Sequence, residues 1–322
     1  MTGQYVDPKA GVVTFAGFYP AWAQRQVWES TTVLAMNLAA RSVTFANVPL
    51  SKLRRSHIEA WVRTMTSDGL APSTIKTRLV NVRSVLRAAV RDRVIAQDPS
   101  DGVTGPRLRR RDAAMSVPAP DQVALLLAAS DGRYRAFLAL SAFAGLRLGE
   151  AAGLQVRDVD FLRQQLKVAR QVQRAPGGSI EVRAPKYGSE RVVYLPDALL
   201  SLLAAHIASY RPGDDPTRWL FEASQGQPPH QNTVGHAWRQ ACRRGGVAGF
   251  TLHDLRHFYA SGLIANGCDV VTVQRALGHA KATTTLNTYA HLWPTAEDRT
   301  RAAATQLMSA AGADSLRTGD GQ

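Results

Sequence analysis

The sequence predicts a mainly α-helical protein with two domains and a small antiparallel β-sheet in the second domain. Apolar residues recur at helical spacing through the first hundred residues. Between about Leu166 and Pro196 the apolar pattern changes to that of short strands, and helical spacing then resumes to about Ala311. The 322 residues, 45% of them hydrophobic, suffice for two modest cores. We therefore expect two separately packed domains.

Two helices of the first domain can be recognised by their apolar faces. One is expected to begin at Ser51 and to stop at Gly69, and the other to follow the N-cap Ser73 after Pro72. Their inward-facing side chains are Ile58, Trp61, Val62 and Met65 in the first helix and Ile75, Leu79, Val82, Leu86 and Ala89 in the second. The first domain is therefore expected to be entirely helical.

The second of these helices also carries a basic face. Lys76, Arg83, Arg87 and Arg91 lie opposite its apolar face, and the last three are spaced by four residues. A row of this kind is usually a solvated surface, but the only acidic residue beside it is Asp92. We expect these four basic side chains to contact phosphate groups.

Charge is distributed unequally along the chain, which has 39 Lys and Arg against 25 Asp and Glu, a formal net charge of +14. Residues 1–111 carry 17 basic and 7 acidic side chains, whereas residues 112–322 carry 22 and 18. This balance favours a polyanionic partner over a merely solvated basic surface. Residues 106–120 combine three prolines with an arginine run and predict an interdomain linker, where Arg109, Arg110 and Arg111 are expected to touch the DNA backbone.

Three short strands are predicted in the second domain, after two helices at 121–130 and 133–144. The strands are expected at 165–171, 180–184 and 191–195. Pro176-Gly177-Gly178 separates the first two strands and Lys186-Tyr187-Gly188-Ser189 the last two, and both sequences are typical of turns. We therefore expect Lys186 to lie on a hairpin turn.

Composition also excludes several classes of protein. Cys242 and Cys268 are too few for a disulfide framework and lack metal-like spacing, so each is expected to be a small buried hydrophobe. The longest apolar run, from about Phe137 to Leu146, is too short to span a bilayer, and the first residues do not resemble a secretion signal. We expect a protein of the reducing cytosol without a membrane partner.

Two segments before residue 190 carry cations suited to a phosphodiester. Arg147 stands at a helix junction after Gly145, where its guanidinium can bind phosphate oxygens in a bidentate manner. The alternative is a structural ion pair with Glu150. Lys186 on its turn is normally a solvated residue, but its ammonium can also protonate a leaving oxygen.

A third segment is expected to form a helix from about Leu252. On it, His253 and Arg256 lie one turn apart on one face and can reach the same phosphate. The pattern His253-Asp254-x-x-His257 also resembles the H-E-x-x-H motif of zinc proteases, but Asp replaces the catalytic Glu and an arginine adjoins the histidines. We therefore rank a metal site last and expect His257 to pack or cap.

The fourth segment contains a candidate nucleophile. Gly278 is expected to end a helix and to leave His279 in a loop, and the threonines at 283–285 are expected to open a short helix that carries Tyr289. A lone tyrosine there is ordinarily a half-buried core residue. Within reach of two arginines and two histidines it can instead attack phosphorus, because those groups stabilise a phenolate and a pentacoordinate phosphate.

These motifs together resemble those of the tyrosine recombinase (phage integrase) family. The pieces A-G-L-R-L-G-E, H-D-L-R-H, L-G-H and N-T-Y-A-H stand in the family's order, and the helical, basic first domain is similar to the family's core-binding domain. The site residues that the resemblance identifies are Arg147, Lys186, His253, Arg256, His279 and Tyr289. It implies a core-binding domain at 1–111 and a catalytic domain at 112–322.

The resemblance implies the chemistry of strand exchange. Tyr289 would attack a backbone phosphate to give a 3′-phosphotyrosine and a free 5′-hydroxyl. Arg147 and Arg256 would hold the non-bridging oxygens, and Lys186 would protonate the leaving oxygen. The covalent link retains the energy of the phosphodiester, so neither a cofactor nor a metal is implied.

The remaining site residues have supporting roles in this picture. His253 is implied to assist proton transfer, His279 to donate a hydrogen bond to the phosphate, and Glu150 to brace Arg147. The opening residues 5–11 are similar to the stretch that follows an arm-binding domain in some larger phage integrases. Such a domain is not expected here.

Duplex DNA is the implied partner, bound by a homotetramer on two sites whose protomers are monomeric or weakly associated without DNA. In the family, the segment after the tyrosine commonly docks on a neighbouring protomer. Leu292, Trp293 and residues 302–307 are available for this, unless Trp293 packs within its own domain. A directionality factor is a further candidate partner.

The expected role is integration or excision of phage or other mobile DNA. Chromosome-dimer resolution remains an alternative, as do a type IB topoisomerase, a telomere resolvase and a non-catalytic DNA-binding regulator of the same fold. Relaxation of supercoiled DNA without a specific site would indicate the topoisomerase, and hairpin products the telomere resolvase. Covalent trapping on DNA separates an enzyme from a regulator.

Overall fold

The computed structural model describes residues 10–106, 115–175, 179–185, 188–223, 226–293 and 296–311. The chain divides into two compact units, one of residues 1–114 with 175–179 and the other of residues 115–174 with 180–322. Residues 107–114 lie outside the described residues, so the linker at 106–120 and the boundary near residue 111 stay predictions.

The first unit is helical, as the sequence predicts. Its helices are α1 (Phe15–Ala23), α2 (Ser30–Arg41), α3 (Arg55–Ser67) and α4 (Pro72–Arg91), with 3-10 turns at Ala10–Val12 and Leu50–Lys52. The apolar faces predicted for α3 and α4 are buried in one core, in which the Trp61 ring packs edge-on against Phe45. Those two predictions of core residues are confirmed.

The starts of α3 and α4 differ from the predictions. Residues from Leu50 form only a 3-10 turn, because Leu53 and Arg54 adopt extended backbone angles, and α3 begins at Arg55 rather than at Ser51. Helix α4 begins at Pro72, so Ser73 lies inside its first turn and is not the N-cap. Proline suits that first position because its φ is already helical and its missing N–H has no partner there.

The second unit is mainly helical with a small antiparallel sheet, which confirms the predicted fold class. Its helices are α5 (Pro120–Ala129), α6 (Gly132–Phe143), α7 (Leu148–Ala152), α8 (Asp197–Tyr210), α9 (Gln231–Gly245), α10 (Leu252–Ala265), α11 (Val270–Leu277), α12 (Ala282–Tyr289) and α13 (Ala296–Ala310). Its strands are β1 (Val159–Asp160), β2 (Gln165–Val168), β3 (Gln171–Arg174), β4 (Ile180–Arg183) and β5 (Arg191–Tyr194). Helix α6 is buried from residue 136 to residue 142 and forms the centre of the main core.

Strand pairing differs from the prediction in two respects. The strand predicted at 165–171 is divided: β2 pairs with β1 and β5 in one sheet, whereas β3 pairs with β4 in a separate hairpin. β4 and β5 belong to different sheets, so these two strands do not pair as the predicted hairpin. Lys186, which was expected on that turn, lies outside the described residues. Alternation of polar and apolar residues indicates a strand but not its neighbour, which tertiary packing decides.

The structure also bears on two smaller expectations, the burial of the cysteines and the length of the apolar helices. Cys242 and Cys268 are only half-buried, because each packs at the margin of an apolar cluster rather than inside it. Within the part of the chain that the structure describes, no helix has the length and apolar character needed to cross a bilayer. The small, polar C-terminal stretch from residue 312 lies outside the described residues.

Candidate active site

Arg147 lies at the junction between α6 and α7. The chain turns there through Gly145, whose φ of +64° is in the left-handed region, and a Cβ at that position would collide with the ring of Tyr259. The main-chain N–H of Arg147 donates to Glu150 Oε2 at 3.0 Å, and its Nη1 donates to Glu150 Oε1 at 2.6 Å. The Arg147 side chain remains partly exposed, so its position is fixed without burying the guanidinium.

Arg191 on β5 is a member of this site that the sequence did not reveal. Its Nη2 donates to Glu150 Oε2 at 2.9 Å, and its Nε donates to the carbonyl of Ala276 at the end of α11. Burial alone would raise the pKa of Glu150, but the charge and hydrogen bond of Arg191, followed by the charge of Arg147, lower it to about 2. Arg191 shares a strand face with the buried Val193, and an arginine at such an inward position is the signal that could have identified it.

Helix α10 supplies His253 and Arg256. Asp254 caps the first turn of this helix, because its Oδ2 accepts a hydrogen bond from the Thr251 N–H at 2.6 Å. Arg256 is only 2% exposed, and its guanidinium donates to the carbonyls of Gly145 and Leu277. It therefore connects the Arg147 junction, α10 and the end of α11.

Arg256 also provides a fixed charge to the site. Burial is the main cause, and repulsion from Arg147 the second, that lowers the pKa of Arg256 to about 9. The group is therefore still cationic at neutral pH. With Arg147 and Arg191, three guanidinium groups face one carboxylate, that of Glu150. This excess of positive charge suits an anionic ligand such as a phosphate.

The two expected histidines are neutral at neutral pH. Gly278, with a φ of +62°, ends α11, and His279 follows it with Nδ1 2.9 Å from Thr285 Oγ1. Burial, followed by the charges of Arg256 and Arg147, lowers the pKa of His279 to about 4. The pKa of His253 is lowered to about 4, mainly by partial desolvation and then by the charges of His257 and Arg256. The residue nevertheless keeps solvent access. Both rings can act as hydrogen-bonding groups but add no fixed charge.

Tyr289 is the last residue of α12 and is 1% exposed. Its phenolic oxygen lies 2.7 Å from Nδ1 of His257, within hydrogen-bond distance. Burial raises the pKa of Tyr289, and Arg256 and Arg147 act in the opposite direction through their charges. His257 was expected only to pack or to cap a helix. Its ring does pack, edge to face against the phenol, and its hydrogen-bond distance to the phenolic oxygen goes beyond that expectation.

The structure thus brings most of the predicted site together. Arg147, Arg256, His279 and Tyr289 lie close enough for the charges of the arginines to affect the pKa values of the other two. Lys186 lies outside the described residues, so its place in the site stays a prediction.

The metal interpretation of the H-D-x-x-H pattern finds no third ligand. Among the described residues, no group of three His, Cys, Asp or Glu side chains could hold a metal ion. Of the pattern's own residues, Asp254 caps α10 and His257 contacts Tyr289. Two of the three polar residues of the pattern thus have other partners.

The basic face of α4 is more engaged than the sequence suggested. Arg83 donates through Nη2 to the carbonyls of Ser100 and Val103, at 3.0 and 2.7 Å. It therefore fastens the chain that follows α4, and its contact with a phosphate stays a prediction. Lys76 and Arg91 are exposed, and Arg109, Arg110 and Arg111 lie outside the described residues.

The acidic partners of this face also differ from the expectation. Asp92 pairs with Arg25 at 2.7 Å rather than with the row. Arg87 instead pairs with Asp98, at 3.4 Å, from the loop beyond the helix. Helical spacing could not indicate this partner, because it lies outside the helix.

Comparison with known proteins gives a consistent picture. The model of the phage integrase family matches residues 118–295, and a model of the N-terminal part of phage integrases matches residues 21–95. Tyrosine recombinase XerC from Chlamydia caviae is 26% identical over 255 residues, which cover 76% of each chain. The ICEBs1 integrase of Bacillus subtilis is 22% identical over 260 residues, 78% of this chain and 70% of that protein.

Solved structures show the same fold. The Tn1549 transposon integrase, in complex with a circular intermediate DNA, has a TM-score of 0.78 at 20% identity and covers 91% of this chain and 99% of its own. Lambda integrase bound to a core site has a TM-score of 0.62 at 18% identity, with 84% and 95% covered.

Fold, site and family model together define an enzyme that breaks and rejoins DNA, a tyrosine-type site-specific recombinase. The chain belongs to the phage integrase family, because the family model covers more than half of it.

Proposed function

We propose that this recombinase cleaves duplex DNA by attack of Tyr289 on a backbone phosphate, which gives a 3′-phosphotyrosine and a free 5′-hydroxyl. The observation that carries the proposal is the position of the phenol beside Arg256 and Arg147, whose charges oppose the rise in its pKa. Three guanidinium groups accompany one carboxylate in this site, and a phosphodiester supplies the missing negative charge. The same cations stabilise the additional charge of a pentacoordinate phosphate.

The arginines have different parts in this mechanism. Arg256 already donates to two carbonyls and is buried, so it acts mainly as a fixed positive charge. Arg147 is partly exposed and engages Glu150 through Nη1, which leaves its outer N–H groups for the non-bridging oxygens. Loss of one such donor typically lowers the rate ~10²–10³-fold. Lys186 protonates the leaving 5′-oxygen in this scheme.

The neutral histidines complete the phosphate site. His279 has Nδ1 held by Thr285, which orients the ring and leaves Nε2 for a phosphate oxygen. His253 keeps solvent access beside Arg256 and assists proton transfer near the scissile phosphate. Glu150 braces Arg147 and Arg191 and does not react, because its pKa of about 2 makes it a poor base.

The proposed partner is double-stranded DNA, bound by a core-binding domain at 1–111 and a catalytic domain at 112–322. The structures of the related Tn1549 transposon integrase and lambda integrase bound to DNA support this partner. The exposed Lys76 and Arg91 of α4, with the linker arginines at 109–111, contact the phosphate backbone. Arg87 contributes more weakly because Asp98 competes for it.

We further propose assembly as a homotetramer on two DNA sites, from protomers that are monomeric or weakly associated without DNA. Every described side chain of α13 from residue 300 onward is exposed, including the apolar Leu307 and Met308. Exposed apolar side chains on a helix suit docking on a neighbouring protomer. Trp293, by contrast, donates to the Cys268 carbonyl and packs within its own unit.

The proposed biological role is integration or excision of mobile DNA, with a directionality factor as a further partner. Relatives named as the ICEBs1 integrase and the Tn1549 transposon integrase favour this role. The relative named tyrosine recombinase XerC keeps chromosome-dimer resolution as a second candidate.

The nucleophile is tested with Tyr289→Phe. Nicked duplexes of random sequence, in which cleavage releases a short fragment, are incubated with the protein, and detergent-stable adducts are isolated and sequenced to define a substrate. We expect wild-type adducts to carry DNA on the peptide containing Tyr289. Tyr289→Phe should bind the substrate with unchanged affinity and form no adduct.

The matched control is Tyr194→Phe, since Tyr194 lies on β5 and is 74% exposed. This variant should form adduct at the wild-type rate. An adduct that persists in Tyr289→Phe would assign the nucleophile to another residue. Failure of the wild-type protein to form any adduct would favour a DNA-binding regulator.

A further inference from the structure

The Tyr289 hydroxyl has a single hydrogen-bond partner among the described residues, the Nδ1 atom of His257 at 2.7 Å. Both side chains are held in place. The phenol is packed in a cluster with Ala260, Ile264 and Leu277, and the two rings meet edge to face with centroids 5.6 Å apart. The contact therefore belongs to the packed interior of the unit and is not a surface encounter.

The direction of this hydrogen bond follows from the protonation of both groups. Burial lowers the pKa of His257, Asp254 opposes that change and Arg256 adds to it, so the imidazole is neutral at neutral pH. Burial raises the pKa of Tyr289, so the phenol keeps its proton. The phenol therefore donates, Nδ1 accepts, and the imidazole proton resides on Nε2.

We propose that His257 is the general base of strand cleavage, and this inference rests on the proposed role of Tyr289 as nucleophile. The O–H bond of Tyr289 breaks, its proton passes to His257 Nδ1, and the freed electron pair forms the bond to phosphorus. The bond from phosphorus to the 5′-oxygen breaks, and that oxygen takes a proton from the acid of the site, proposed as Lys186. During rejoining, His257 returns the proton to the departing phenolate.

No other described group is placed for this task. Arg147 and Arg256 are permanent donors and cannot accept a proton from the phenol. His279 has its Nδ1 engaged by Thr285, and His253 meets the ring of His257 edge to face, with centroids 4.9 Å apart, rather than the phenol. His257 alone among them touches the reacting oxygen.

The same pair explains how the tyrosine stays inert without DNA. Since the phenol pKa is raised and the His257 pKa is lowered, the proton remains on oxygen in the free protein. Transfer becomes favourable only as the oxygen bonds to phosphorus and loses its basicity. The nucleophile is thus generated during attack and is not stored as a phenolate.

The proposal also predicts how cleavage responds to pH. The groups that face His257 are Asp254, Arg256 and His253 on α10 and Tyr289 on α12. Protonation of His257 removes the acceptor. Adduct formation by the wild-type protein should therefore slow as the pH falls below the pKa of His257, which lies under its usual value near 6.5.

The decisive variant is His257→Asn, because the asparagine Oδ1 can occupy the place of Nδ1 and bind the phenol but cannot take its proton. Single-turnover adduct formation is measured on the substrate recovered with the wild-type protein. We expect unchanged DNA affinity and adduct formation slower by ~10²-fold or more, without the acid limb of the pH profile. His236→Asn, at an exposed histidine of α9, is the matched control and should behave as wild type.

A substrate with sulfur in place of the 5′-bridging oxygen distinguishes loss of the general base from loss of the general acid. Sulfur leaves without protonation, so this substrate should restore cleavage by Lys186→Ala but not by His257→Asn. Restoration of His257→Asn would overturn the proposal, as would adduct formation by this variant at the wild-type rate. The latter result would leave Tyr289 as nucleophile, whereas a wild-type protein without any Tyr289 adduct would remove both proposals.

If His257→Asn melts at a lower temperature than the wild type, the wild-type pH profile decides instead. A rate that declines toward acid pH with a midpoint below about 6.5 supports a base of lowered pKa. A decline with its midpoint above 6.5, or no decline at any acid pH at which the protein stays folded, would overturn the proposal.

Discussion

Arg191 and Glu150 form an ion pair in the interior of the second unit, with Nη2 and Oε2 2.9 Å apart and side chains 7% and 1% exposed. The second oxygen of Glu150 pairs with Arg147 at 2.6 Å, so one carboxylate holds two guanidinium groups. Arg191 also donates to the carbonyl of Ala276, just before the turn that carries His279. The pair therefore fixes the relative positions of the Arg147 junction and the His279 loop.

Arg191→Met should destabilise the protein strongly, because it removes the buried cation that pairs with Oε2 of the buried Glu150 carboxylate. Removal of one member of a buried pair typically costs about 3–5 kcal/mol of unfolding free energy. Urea unfolding measures the change. Addition of Glu150→Gln to this variant should recover part of the loss, since it removes the uncompensated charge.

The control for this prediction is Arg163→Met. Arg163 pairs with Asp160 at 3.7 Å on the surface, where such a pair contributes about 0–1 kcal/mol. If Arg191→Met cost no more than Arg163→Met, the buried pair would not contribute to the stability of the fold.

The same carboxylate predicts an acid-dependent loss of stability. The folded-state pKa of Glu150 is about 2 and its ordinary value is 4.5, so its contribution is complete above about pH 5 and is lost as the pH falls toward 2. A lowering of this size corresponds to about 3 kcal/mol. The stability difference between wild type and Glu150→Gln should shrink over that range in urea unfolding at successive pH values. Parallel curves for the two proteins would contradict the lowered pKa.

The parts of the site that depend on local geometry could be predicted from the sequence. His253 and Arg256 share a face because helical residues three apart lie on one side. Gly278 ends α11 because its left-handed φ suits glycine, which places His279 just beyond the helix. The repeat of about 3.6 residues per helical turn also places the apolar residues of α3 and of α4 on one face of each helix, and both faces are buried as predicted.

The parts that depend on packing between distant segments could not be predicted. His257 lies one turn after His253, but its contact with Tyr289 arises only when α10 and α12 pack together. Arg191 becomes part of the site because β5 pairs with β2 and not with β4. The alternation along β5 indicates that Arg191 faces inward, but the period of a side chain gives its face and not what that face meets.

The two ends of the basic row on α4 should have separable functions. Arg83 donates to two main-chain carbonyls, so Arg83→Ala should cost about 1–3 kcal/mol of stability by removing both hydrogen bonds. Arg91 is exposed, so Arg91→Ala should leave stability unchanged and weaken DNA binding. Loss of one phosphate contact should also reduce the slope of log affinity against log salt by about 1.

Both variants are measured by thermal unfolding and by DNA affinity at several salt concentrations, with the duplex recovered by covalent capture. The informative result is the crossed pattern, in which Arg83→Ala alters mainly the unfolding temperature and Arg91→Ala mainly the salt slope. If Arg83→Ala kept full stability and lost a unit of salt slope, Arg83 would be a phosphate ligand after all. The carbonyl contacts at Ser100 and Val103 would then be secondary, because a guanidinium that supports the fold cannot be removed without a cost in unfolding free energy.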